Sequence, residues 1–241
     1  MNLSDRQIRI IKAIVEEYTN TGEPVGSLTL DQKYRLGVSP ATIRNEMSTL
    51  ADKGFLAKTH SSSGRIPTPV AIKFYVSELL RERELSVAEE VAIKERVWQV
   101  RNDLDTLLIE ATRVLAERTK SLSIAATDTG RVYHSGYPNL LNNPEFYDIN
   151  LFREVLILLD EHQRVITLFS RAAGSDSIHL LLGDELGNAE MEPASCLFAD
   201  IQINDHRGSL GIIAPNRQQY DQNIPIVRYV ASLINQIAQS A

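Results

Sequence analysis

One cysteine and one tryptophan are all that 241 residues hold of those two types, and aromatic residues make up 6% of the chain. Cys196 cannot close an internal disulfide and has no Cys or His neighbour at metal-ligand spacing, so burial in a core is its expected role. No apolar run approaches the roughly 18 residues that a bilayer-spanning helix needs. The opening MNLSDRQIRI also lacks a basic start followed by an apolar stretch, so a cytoplasmic protein without a membrane partner is expected. Internal repeats, low-complexity tracts and long runs of like charge are missing as well, which excludes solenoids and disordered charged arms.

Enzyme signatures are equally scarce. There is no phosphate-cradling Gly-Lys-Ser/Thr loop, no dinucleotide glycine fingerprint and no metal-binding His/Glu pair. Asp160-Glu161-His162 follows an apolar helical run and reads as a solvated helix end, and Asp205-His206-Arg207-Gly208 reads as a hairpin turn. The chain is therefore expected to be no enzyme and to need no cofactor or metal.

What is present is an uneven distribution of charge. Residues 1–85 carry twelve Lys/Arg against ten Asp/Glu, and residues 86–241 carry thirteen against twenty-one; these local balances of +2 and −8 make up the chain's −6. Within residues 26–75, Lys33, Arg35, Arg44, Lys53, Lys58, Arg65 and Lys73 face only Asp31, Glu46 and Asp52. A basic patch on an acidic body attracts phosphates in one orientation.

The patch lies in a segment with clear helix punctuation. Ser4 and Asp5 can cap a first helix with Ile8, Ile11, Ile14, Val15 and Tyr18 on one face, ending at Thr21-Gly22. After Glu23-Pro24-Val25-Gly26, Ser27 offers an N-cap for a second helix through about Tyr34, with Leu28, Leu30 and Tyr34 inward. Gly37 permits a tight turn, Ser39 is placed as an N-cap and Pro40 falls at the first position of a third helix. Ile43, Met47 and Leu50 repeat at i, i+4 and i+7 as its buried stripe. That leaves Ser39, Thr42, Arg44, Asn45 and Ser48 for base edges or phosphates near a helix N-terminus.

Beyond Gly54, Phe55–Thr59 and Arg65–Thr68 have the length and composition of two short strands joined by Ser61-Ser62-Ser63-Gly64, which places His60, Ser61 and Arg65 at a wing tip. Three helices followed by a ribbon describe a winged helix-turn-helix DNA reader spanning residues 1–85. An ordinary solvated helix face and a plain surface loop are the alternatives.

At this point the residues become specific. Glu23–Ser27, Gly37–Met47 and Ser63–Thr68 together resemble the signature of HrcA, the bacterial heat-inducible transcription repressor family. Downstream, Ser86 to Thr119 is helix-favouring, with Val91, Val97, Trp98, Leu104, Leu107, Leu108, Ala111 and Leu115 as an apolar stripe suited to a connector or dimer contact over 86–120, or to packing within its own chain. From residue 121, strand-like runs at 122–126, 131–134, 178–182, 196–203 and 209–213 alternate with helical stretches, which gives an α+β class overall. This part, 121–241, resembles the GAF-like C-terminal domain of HrcA at Gly136–Phe146 and Gly208–Pro215. The region between connector and Asn143-Pro144-Glu145-Phe146 is compressed, since typical members carry an inserted subdomain used in dimer contacts.

The resemblance implies a homodimer on double-stranded DNA at an inverted-repeat operator upstream of chaperone operons, with the chaperonin GroEL keeping the repressor active. A small-molecule-sensing winged-helix regulator is the alternative, because GAF-like domains often enclose a ligand.

Overall fold

Ser4 starts the first helix, α1 (Asp5–Thr21), through a reciprocal cap in which its hydroxyl accepts the Gln7 N–H and the Gln7 side chain accepts the Ser4 N–H, both at 3.3 Å. Gly22, at φ +71°, ends it in the left-handed region that glycine adopts without a Cβ clash. The computed structural model describes residues 3–58, 64–172, 177–203 and 206–240. These fall into two compact units, Met1–Arg81 with Arg217–Gln219, and Glu82–Asn216 with Tyr220–Ala241.

In the first unit, α2 (Ser27–Tyr34) begins one residue earlier than expected. Gly26, rather than Ser27, is its N-cap, and no side chain caps it. Leu28 is 59% exposed rather than inward, whereas Leu30 is fully buried. The two lie about 200° apart around a helix, so a two-turn element that buries one must expose the other. The third helix, α3 (Pro40–Asp52), buries Ile43, Met47 and Leu50 as its spacing predicts.

A two-stranded antiparallel ribbon follows, β1 (Leu56–Lys58) and β2 (Arg65–Pro67), with Leu56 opposite Pro67 and Lys58 opposite Arg65. Both strands are shorter than the sequence suggests. Phe55 is drawn into the core, and Thr68 leaves the ribbon to cap α4 (Pro69–Phe74), which continues as a π-helical turn through Leu79. The core of this unit includes Ile10, Ile14, Leu30, Ile43, Leu50, Phe55 and Leu56, contributed by every helix of the triad, the residue before the ribbon and its first strand.

In the second unit, α5 (Val87–Gln99) and α6 (Leu104–Thr119) are separate helices, because Asp103 caps a new start by accepting the Thr106 N–H at 2.8 Å. Val91, expected in the apolar stripe, is 48% exposed; Ile93 and Val97 are the buried pair of α5. The chain then forms β3 (Leu122–Thr127), β4 (Val132–Ser135), the short α7 (Tyr137–Leu140), α8 (Ile149–Asp160), α9 (His162–Ser170), β5 (His179–Leu182), β6 (Ala194–Ile203), β7 (His206–Pro215) and α10 (Tyr220–Ser240).

The five strands make one antiparallel sheet in the order β4-β3-β7-β6-β5. One face is covered by α8 and α9 over a core containing Ile124, Cys196, Phe198 and Ile213, and α6 and α10 pack against the sheet as well. Gly211 is required there, since a Cβ would lie 2.4 Å from that of Phe198 on the neighbouring strand. Cys196 is fully buried, and burial pushes its thiol pKa far up, as expected of a packing residue. His206, Arg207 and Gly208 are strand residues opposite Ile203, Gln202 and Ile201, not a turn; Asp205 lies outside the described residues.

Candidate nucleic-acid interface

The best-defined polar surface belongs to α3. Gly37 turns the chain at φ +75°, and Ser39 then caps the helix, its hydroxyl accepting the Thr42 N–H at 3.2 Å and lying 3.0 Å from the Thr42 hydroxyl. Ser39 and Thr42 are thus tied to one another at the helix start. One turn on, Arg44, Asn45 and Ser48 are exposed, and among the described residues the side chains of Arg44 and Asn45 make no hydrogen bond or ion pair. Thr49, which sequence reasoning passed over, is exposed beside them, with its hydroxyl donating to the Asn45 carbonyl at 3.2 Å.

What holds this face outward is the packing of α3 on α1, and Gln7 is its polar centre. Its amide nitrogen donates to Glu46 at 3.0 Å and its amide oxygen accepts from Lys53 at 3.0 Å, so one nearly buried side chain bonds the middle and the C-terminal end of α3. Glu46 also takes a 3.3 Å bond from Arg6. The only acid within α3's middle turns is therefore directed to α1 rather than toward the exposed side. Nothing in the local pattern marks Gln7, because its partners stand about forty residues away in sequence.

Similar pairing redistributes the basic patch. Lys33 donates at 2.5 Å to the buried carboxylate of Glu17, which also accepts from the Tyr34 hydroxyl at 3.3 Å. Burial, and then the charge of Glu17, hold the Tyr34 hydroxyl pKa well above its ordinary value. With Lys33 and Lys53 engaged, Arg35, Arg44 and Lys58 are exposed cations that make no hydrogen bond or ion pair among the described residues.

The predicted wing residues separate. His60 and Ser61 lie outside the described residues. Arg65 opens the return strand, as expected, and is half-buried there; its backbone exchanges two bonds with Val25, of 2.8 and 3.0 Å. Its guanidinium donates to the Gly64 carbonyl at 3.1 Å.

The second unit holds a separate cleft of about 800 Å³ between the end of α9 and the sheet. Ile166 and Phe169 form an apolar wall. Opposite them, the Asp200 carboxylate accepts from the Ser209 hydroxyl at 3.0 Å and lies 3.2 Å from His179 Nε2. Among the described residues no group of three or more His, Cys, Asp or Glu is placed to hold a metal ion, and no helix is long and apolar enough to cross a membrane.

Comparison with known proteins adds the family. A family model described as the HrcA protein C-terminal domain matches residues 69–224. A heat-inducible transcription repressor HrcA from Symbiobacterium thermophilum is 26% identical over 336 aligned positions, covering 98% of each chain. Another from Chloroflexus aggregans is 26% identical over 348 positions, covering 98% of this chain and 93% of its own. Both alignments exceed 241 positions, so the relatives carry segments that this chain lacks. A crystal structure of a hypothetical protein shares the fold, with a TM-score of 0.79 at 18% identity over 99% of both chains. With the family model matching well over half of its residues, the chain belongs to the HrcA family, whose members are heat-inducible transcription repressors and not enzymes.

Proposed function

We propose that the chain represses heat-shock chaperone operons by binding an inverted-repeat operator as a homodimer. Residues 1–85 are the winged helix-turn-helix reader in this reading, the helices over 86–120 connect or pair copies, and the GAF-like 121–241 sets their activity. The observation that carries it is the outward face of α3, where the side chains of Arg44 and Asn45 are exposed and, among the described residues, make no hydrogen bond or ion pair, on a helix whose other face is bonded to α1. Exposed donors near a capped helix start, beside an antiparallel ribbon, are the ordinary means of entering a major groove.

Ser39, Thr42, Arg44, Asn45 and Ser48 form the reading face, and the hairpin carrying His60, Ser61 and Arg65 lies along the backbone. Selection of duplexes from a random-sequence pool by the purified protein tests this. Enrichment of one inverted repeat, bound with two chains per duplex, is expected; recovery of no preferred sequence would sink the reading. By family resemblance GroEL maintains the active repressor, and adding it should raise the fraction of protein competent for that duplex.

The cleft between α9 and the sheet favours a second reading, in which the GAF-like domain senses a small molecule. A metabolite that changes operator affinity in the absence of GroEL would support it.

A further inference from the structure

Lys58 and Arg65 are direct partners in the ribbon, so two cations face one another across β1 and β2. Like charges at directly opposed positions weaken a strand pair. No carboxylate offsets them among the described residues: Lys58 is exposed and unpaired there, and the Arg65 guanidinium bonds a backbone carbonyl. An opposed cation pair kept without an acid is what an external anion would neutralise.

The two cations are not equivalent. Arg65 is half-buried, both of its backbone groups are bonded to Val25, and its Nε is buried without an acceptor. Swinging its guanidinium outward would give up the bond to Gly64, which sits in close contact with Pro24. Lys58 has a flexible stem, a compact charge and no such commitments, which suits a sequence-independent contact with a phosphate.

We infer that Lys58 is a residue through which the ribbon contacts the DNA backbone, and that Arg65 is a positioning residue holding the Lys58–Arg65 end of the ribbon against Val25 and Gly64. The inference rests on the DNA-binding reading above.

The test compares wild type, K58A, K58R and R65Q on the selected inverted-repeat duplex and on an unrelated duplex of equal length, between 50 and 200 mM salt. For K58A the slope of log affinity against log salt should be shallower by about 0.9 per bound copy of the chain. The wild-type advantage then shrinks about three- to fourfold per copy across that range, equally on both duplexes. K58R should keep the slope, and R65Q should keep it while lowering the urea midpoint of unfolding. An unchanged slope in K58A overturns the assignment, as does an R65Q protein of normal stability with a reduced slope. Wild-type protein that shifts neither duplex overturns the repressor reading as well, whereas K58A matching a DNA-binding wild type removes this inference alone.

Discussion

Pro24 and Gly64 touch so closely that a Cβ placed on Gly64 would lie 2.5 Å from the Pro24 Cβ and 2.9 Å from its carbonyl carbon. Beside them Val25 and Arg65 exchange two backbone hydrogen bonds. The linker between α1 and α2 is thereby joined to the ribbon, so that Pro24-Val25 and Gly64-Arg65 form one structural unit.

Gly64→Ala is accordingly expected to force Pro24 and the ribbon apart. Overpacking of this kind costs about 1–3 kcal/mol. Urea unfolding should show the loss, and Gly54→Ala provides no matching control for space because that glycine stands at φ +81°. A stability equal to wild type would mean that the linker and the ribbon are not in contact in solution.

On α3, Asn45→Ala or Arg44→Ala should cost about 1–3 kcal/mol of operator affinity if the side chain reads a base. The loss should come with relaxed preference at one position of the half-site, measured against a panel of single-base variants. Equal weakening on every duplex would reassign that side chain to phosphate.

Gln7→Leu removes the two Gln7 bonds to Glu46 and Lys53, together with the bond Gln7 accepts from the Ser4 N–H, and leaves the Arg6–Glu46 bond between α1 and α3 in place. Loss of side-chain hydrogen bonds of this type is worth about 1–2 kcal/mol of stability. Operator affinity should fall as the outward face of α3 loses its fixed angle. Unaltered stability and affinity would show that apolar packing alone sets that angle.

At the start of α5, the Ser86 N–H and hydroxyl donate to Glu89 at 2.9 and 2.7 Å, and Arg83 donates at 2.6 Å. The Ser86 backbone bond first, and then the Ser86 and Arg83 side chains, lower the Glu89 pKa to about 2. Because the folded value is depressed, the cap's contribution is present above the ordinary carboxylate range and is lost as pH falls from about 4.5 toward about 2. NMR titration should place Glu89 near that lower value, and Ser86→Ala should move it back up. A Glu89 that titrates normally in the wild type would show that the cap does not form.

Much of this was legible because it is local. Ser4, Ser39-Pro40 and Thr21-Gly22 mark helix ends by chemistry confined to a few residues, and Ile43, Met47 and Leu50 mark a buried face by spacing alone. Leu28 departs from the inward expectation for the converse reason: a two-turn helix has too few apolar residues for spacing to choose between its faces. The return strand starts at Arg65 as its composition predicts, but the bonds of Arg65 to Val25 join segments forty residues apart and no local pattern announces them.

The sequence by itself determined the class of the chain, the start and inward face of α3, and the family signature. Each depends on residue type and short spacing. Only the tertiary structure decided which cations remain available, since Lys33 is taken by Glu17 and Lys53 by Gln7, while Lys58 is left unpaired among the described residues. It likewise decided that Arg65 is anchored to Val25. Hydrogen bonds and ion pairs act over a few ångströms, and folding brings to that distance residues that periodicity cannot match.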